Sequence, residues 1–257
     1  MVCDVVSPCV SDASTYASYD TYDTCVTVKT AVILAGGLGL RLWPLTLWTP
    51  KPLIEVYGKP ILVWQIEWLR RHGVENFVLC VGHLWEKIMG RLKDGGELGV
   101  SIRYSIEEKP LGTGGAIKRA LNLFDDEIFY VVNGDIITFL NPVKLVEALV
   151  KHENAVLSMA LVPMRCPYGV VELDGDIVKG FKEKPVIEEV LINGGVYAMR
   201  REIACYLPDE GDIEKTAFPR LAEEGKIVGV RYVGVVWRSI DTHKDLREAE
   251  EILRSVC

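Results

Sequence analysis

A run of apolar, largely β-branched residues, Ala31-Val32-Ile33-Leu34-Ala35, passes without a break into Gly36-Gly37-Leu38-Gly39. An uninterrupted apolar run of this length fits a strand buried on both faces, the usual situation in a parallel sheet. Glycines at its carboxyl end allow backbone N–H groups to converge on an anion. The pair of features reads as a buried parallel strand feeding either an anion-binding loop or a plain strand-to-helix turn.

The following 100 residues repeat that alternation. Ile61, Trp64, Trp68 and Leu69 fall at helical spacing, which predicts a helix over 60–72 with Gly73 as its C-cap and the tryptophans in the core. Strands are predicted at 77–81, 100–105 and 128–132, with helices at 83–93 and 115–123. Strand and helix alternate four times, as in a parallel sheet covered by helices. The second half changes character. Strands are predicted at 155–161, 169–173, 177–181 and 190–199, the middle two joined by the turn signal Asp174-Gly175-Asp176. Helices follow near 200–206 and 212–224, then one or two strands in 227–236 and a closing amphipathic helix over 243–254. The expected fold class is α/β, a Rossmann-like, mixed, mostly parallel sheet flanked by helices, with a smaller α+β part fused to the same sheet.

Composition narrows the partners. Of 257 residues, 29 are Lys or Arg and 36 are Asp or Glu, a net charge of −7 without a basic cluster. That disfavours nucleic acid. No apolar run reaches about 18 residues, so no membrane span is expected. Residues 1–28 hold four aspartates and no lysine or arginine. They show no period and lack the basic start and apolar stretch of a signal peptide. Residues 1–29 are read as a disordered extension and 30–257 as one domain. An overcalled start is the second reading, since Val28-Lys29-Thr30 leads into the first strand as a native start would. Seven scattered cysteines without a C-x-x-C pair argue against a zinc site or disulfide framework and fit free thiols in the cytoplasm.

Arg41 and Lys51 follow the glycine loop closely and supply fixed positive charge. The spacing matches neither a dinucleotide fingerprint nor a Walker loop. A plain strand-to-helix turn is the alternative. Leu111-Gly112-Thr113-Gly114-Gly115-Ala116 lets a flat base lie against the backbone, or simply starts a helix. Asp135 ends the strand before it, Asn133-Gly134-Asp135, where a carboxylate suits Mg²⁺ or caps a helix. The four histidines show no triad or ligand spacing.

Taken together, L-A-G-G-x-G-x-R-L at 34–42, P-L-T at 44–46 and P-K-P-L at 50–53 resemble the sugar-1-phosphate nucleotidyltransferases, and the resemblance spans about 30–254. Leu40 stands where that family usually has threonine. The stretch 104–120 is similar to heptose-1-phosphate and mannose-1-phosphate guanylyltransferases. The resemblance implies transfer of a nucleotidyl group from an NTP, with GTP favoured, to a mannose- or heptose-type sugar 1-phosphate, with Mg²⁺ as cofactor. It implies catalytic roles for Arg41, Lys51 and Asp135. NTP binding would fall to Leu34, Ala35, Gly36, Gly37, Gly39, Gly112, Thr113 and Gly114. Gly169, Glu183, Lys184 and Asn193 would bind the sugar phosphate. The second metal carboxylate of the family lies in a W-x-D-x-G-T segment, which here reads Trp237-Arg238-Ser239-Ile240-Asp241-Thr242. Ser239 occupies the usual Asp position, so the metal pair would be Asp135 and Asp241, unless Asp241 only caps the next helix. Ile240-Asp241-Thr242 itself is more like glucose-1-phosphate cytidylyltransferases. A cytidylyl- or thymidylyltransferase and a non-catalytic regulatory homologue are the alternatives, and a homo-oligomer is compatible with all of them.

Overall fold

The computed structural model describes residues 26–256. Its centre is β1 (Thr30–Ala35). The pleat sends Ala31, Ile33 and Ala35 into one core cluster and Val32 into another on the opposite face, with Leu34 packed against it. Burial on both sides is why this strand carries no polar alternation. Residues 1–25 of the expected extension lie outside the described residues. Of the remainder, Val28 is buried and the Lys29 carbonyl accepts the N–H groups of Glu75 and Asn76 at 2.9 Å. The packed domain therefore includes residues before Thr30.

After β1, the small hairpin β2 (Glu55–Val56) and β3 (Lys59–Pro60) leads into α1 (Ile61–Arg71). Both α1 tryptophans are core, and their ring N–H groups donate to the carbonyls of Val56 and Leu140. Gly73, at φ 87°, closes the helix. Then come β4 (Asn76–Val81), α2 (Trp85–Leu92), β5 (Ser101–Ile106), α3 (Gly112–Ala120) and β6 (Ile128–Asn133). Two elements lie where the sequence patterns above assign none: β7 (Ile136–Thr138) and α4 (Val143–Lys151). In α4 the buried Leu145, Val146 and Leu149 are spaced for one helical face, and the Asn141 side chain accepts the Val143 N–H at 3.0 Å.

The second half adds β8 (Leu157–Arg165), the ribbon β9 (Val170–Asp174) and β10 (Ile177–Lys182), and the long β11 (Val186–Arg200). The 200–206 region is a 3₁₀ turn at Arg201–Cys205. The predicted helix over 212–224 shortens to α5 (Ala217–Glu223). One strand, β12 (Ile227–Arg231), fills the early part of 227–236. It is followed by β13 (Trp237–Ser239) and α6 (His243–Val256).

The main sheet runs β12-β8-β11-β6-β1-β4-β5. The four strands β6, β1, β4 and β5 are mutually parallel. β11 is antiparallel to both β6 and β8, because the chain returns to it through the ribbon. β8 and β12 are parallel again. The two halves thus share one mixed sheet, as the sequence predicts. α6 closes a third cluster with Leu42, Ile54, Trp64 and Ile240, beside the loop after β1.

Candidate active site

The loop after β1 is held by its own sequence. Gly39 sits at φ 64°, and a Cβ there would lie 2.8 Å from the Thr46 methyl and 3.1 Å from Lys51 Cβ. Thr46, fully buried, donates its hydroxyl to the Gly39 carbonyl at 2.9 Å. Leu42 is an apolar anchor with no exposure. The P-L-T and P-K-P-L segments therefore fold back against the glycine loop and fix where Arg41 and Lys51 start.

Asp135 is placed from the other side. Gly134 donates its N–H to the Leu34 carbonyl at 2.9 Å, and a Cβ at that position would come within 2.3 Å of the same oxygen. Only glycine lets the end of β6 pass this close to the end of β1. β13 pairs antiparallel with β7, Ser239 opposite Ile136, and the Ile240 N–H donates to the Asp135 carbonyl at 2.7 Å. That brings Asp241 to Asp135.

Four charged groups meet there. Lys51 Nζ lies 2.8 Å from Asp135 Oδ2 and 2.9 Å from Asp241 Oδ1. Arg41 Nη2 lies 2.7 Å from Asp241 Oδ1. Ser239 donates to Asp241 Oδ2 at 3.0 Å. Burial pushes the Asp241 carboxyl up, but the Lys51 hydrogen bond and charge, the Ser239 hydroxyl and the Arg41 charge outweigh it and hold the carboxyl below its ordinary value. The Asp241 side chain is not the cap of α6. Thr242 and Asp245 are, Asp245 Oδ2 accepting the Thr242 N–H at 2.7 Å and the Asp241 N–H at 3.2 Å.

Arg41, Lys51, Asp135 and Asp241 line one open cavity of about 620 Å³, with residues 34–40, Gly112 and Thr113. The structure thus brings together every predicted catalytic and metal residue and all but one of the predicted NTP residues. Gly114 is the exception. Its N–H donates to the Gly211 carbonyl at 2.9 Å, and its missing side chain makes room for Pro208 and Gly211. This glycine serves packing against a neighbouring loop, which a glycine-rich helix start cannot distinguish from ligand contact. Thr113 lines the cavity, while its hydroxyl donates to Glu214 and accepts the Ile213 N–H.

The predicted sugar-phosphate residues are not among those lining this cavity. Gly169 abuts Phe181 and Glu183 at the base of the ribbon. Glu183 and Lys184 form an exposed 2.7 Å ion pair. Asn193 spends its amide on the Tyr197 hydroxyl and the Gly195 N–H, and Gly195 in turn packs beside Asn133.

Glu107 and Asp212 line the cavity and carry no motif signal of their own. Glu107 Oε2 accepts the Leu111 N–H at 3.0 Å. Half-burial raises its carboxyl pKa, opposed by that hydrogen bond and by the Arg119 charge. Its place four residues before Leu111, at the end of β5, is the signal that could have found it.

A mixed, mostly parallel sheet with a phosphate-type glycine loop, two cations and two strand-end carboxylates in one crevice defines a class of phosphate-handling transferase. The nucleotidyl transferase family matches residues 30–255, and the chain belongs to it. A D-glycero-α-D-manno-heptose 1-phosphate guanylyltransferase of Campylobacter jejuni is 39% identical over 67% of this chain and 76% of its own length. The mannose-1-phosphate guanylyltransferase catalytic subunit beta of Danio rerio is 37% identical over 84% of this chain, which spans 62% of that longer protein. The crystal structure of HddC from Yersinia pseudotuberculosis superposes with a TM-score of 0.71 at 30% identity, covering 88% of this chain and all of that one. A second structure of HddC, complexed with GMP-PN, gives 0.69 at 28% identity.

Proposed function

We propose that this chain transfers a guanylyl group from GTP to a mannose- or heptose-type sugar 1-phosphate, releasing pyrophosphate. The observation that carries the proposal is the convergence of Arg41, Lys51, Asp135 and Asp241 at the mouth of the glycine loop. The attacking group is a phosphate oxygen that is already anionic, so the reaction needs no general base. No histidine is among the described residues lining the cavity. The barrier lies in bringing two anions together, and positioning and charge neutralisation carry most of the catalysis. Backbone N–H groups of the glycine loop and the exposed guanidinium of Arg41 are suited to the leaving pyrophosphate. Lys51, with its side chain 13% exposed, is a compact cation suited to neutralising the reacting phosphates.

Two carboxylates facing an open, polyanion-sized cavity fit Mg²⁺, which takes one or two carboxylates and completes its shell with water and substrate phosphates. Asp135 and Asp241 would hold it. When bound, the ion neutralises α-phosphate charge. Lys51 holds the two carboxylates together without it.

The half-buried Glu107 carboxylate supports the choice of base. It only accepts hydrogen bonds, and guanine offers adjacent N1–H and N2–H₂ donors. The guanylyltransferase names of the two relatives and the GMP-PN complex of HddC agree with GTP. The sugar-phosphate role of Gly169, Glu183, Lys184 and Asn193 remains part of the proposal. No described helix is long and apolar enough to cross a membrane, and a cytoplasmic location, where NTPs and sugar phosphates are made, is proposed with it.

The test is a matrix of GTP, ATP, UTP, CTP and dTTP against mannose-, heptose- and glucose-type 1-phosphates, read by pyrophosphate release. The proposal requires the highest kcat/KM with GTP and a manno-configured acceptor. Highest activity with CTP or dTTP and glucose 1-phosphate contradicts the base and sugar. No release with any pair supports a non-catalytic homologue.

A further inference from the structure

Gln65 is the one fully polar side chain on the buried face of α1, and it is 1% exposed. Its Nε2 donates to two carbonyls, Asn133 at 2.8 Å and Ile136 at 2.8 Å. These carbonyls bracket the turn that carries Asp135. The opposite amide orientation would set an oxygen against both carbonyls, so the partners fix which atom is nitrogen. The remaining oxygen, Oε1, is buried with no hydrogen-bond partner. An apolar residue of the same size would avoid that unpaired oxygen but would leave both carbonyls without their donor.

We infer that Gln65 is a positioning residue for both acidic groups of the site, resting on the nucleotidyl-transfer reading above. The route is short. Gln65 fixes the carbonyls on either side of Gly134 and Asp135 from below. Leu34 holds the Gly134 N–H from the β1 side. The Asp135 carbonyl, held in that turn, accepts the Ile240 N–H at 2.7 Å, and Asp241 follows directly. One side-chain amide in the core thus sets the backbone on which both carboxylates stand, without touching substrate. Groups that orient metal-binding carboxylates in this way typically control metal affinity or activity by about 10–100-fold.

The experiment uses the full chain with Gln65→Met, which keeps length and volume but removes both donors. Leu69→Ala destabilises the same helix without touching the turn, and Asp135→Asn tests the site itself. Each is assayed for kcat, for the Mg²⁺ concentration giving half-maximal rate, and for direct Mn²⁺ binding by electron paramagnetic resonance with no substrate present. The inference expects Gln65→Met to lose about tenfold or more in Mn²⁺ affinity and in kcat, while folded Leu69→Ala keeps both. Wild-type Mn²⁺ affinity in Asp135→Asn contradicts the metal assignment. Loss in Asp135→Asn, with both quantities within twofold of wild type in Gln65→Met, overturns the positioning role alone. If Gln65→Met does not fold, Gln65→Glu decides. Its carboxyl donates to a carbonyl only when protonated, so its kcat relative to wild type should rise as pH falls. A flat ratio overturns the inference.

Discussion

Arg41 keeps 70% of its side chain in water and still ends on a carboxylate 200 residues away. An exposed pair of this kind contributes little to stability, so its value lies in where it leaves the guanidinium. Arg41→Ala should lower kcat/KM for the NTP by at least about 100-fold, the scale of losing one strong transition-state donor, with an unchanged melting curve. Asp241 carries the sharper contrast. Asp241→Asn should cut kcat by orders of magnitude and raise the Mg²⁺ requirement. Thr242→Ala, at the true N-cap of α6, should cost about 1 kcal/mol with near-normal turnover at saturating Mg²⁺. Steady-state kinetics and thermal melts of both variants check this, and the reverse pattern would return Asp241 to a capping role. Glu107 joins its proposed part in base selection to a stability cost. Its folded pKa is raised above the ordinary 4.5, so the ionised form destabilises the fold at pH 7. The cost disappears as pH falls through the raised folded value and is gone below 4.5. Glu107→Gln should therefore raise Tm at pH 7, lose that gain near pH 4, and narrow the preference for GTP over other NTPs.

Among the elements, the turn between β6 and β7 is tightly constrained by the close approach of β1. Gly134→Ala sets a methyl 2.3 Å from the Leu34 oxygen, so the ends of β1 and β6 must separate and Asp135 must move. A Tm loss of several degrees together with a kcat loss above about tenfold is expected, by calorimetry and kinetics. Full activity at lower Tm would show that Asp135 tolerates the displacement. The buried strands were legible because burial on both faces leaves a continuous apolar run that little else produces. β7 was not, being three residues long and set by its pairing with β13. α4 was legible in principle, since Asn141 and the 145, 146, 149 spacing are ordinary helix signals. The ribbon was read correctly from Asp174-Gly175-Asp176, and Gly175 takes the left-handed conformation at φ 60°.

For the molecule as a whole, an acidic protein handles polyanions by concentrating a few cations and two carboxylates where one sheet opens. The residue types were legible in the motifs. Which of them meet was not, because Lys51 reaches Asp135 and Asp241 across 84 and 190 residues. Only topology joins them: β1, β6 and β13 deliver their ends to one crevice. The same limit explains Gly114, whose neighbour Gly211 lies 97 positions on, and Gln65, which on a helix reads as one more residue of a buried face.

Transfer of a nucleotidyl group to a sugar phosphate in this crevice is read directly by ³¹P NMR of one reaction mixture. With GTP, Mg²⁺ and mannose or heptose 1-phosphate, the β- and γ-phosphate resonances of GTP should vanish. Pyrophosphate and a sugar-linked diphosphate should appear in equal amounts, at a rate abolished by Asp135→Asn. Orthophosphate in place of pyrophosphate, pyrophosphate released without a sugar 1-phosphate, or an Asp135→Asn protein as fast as wild type would contradict it.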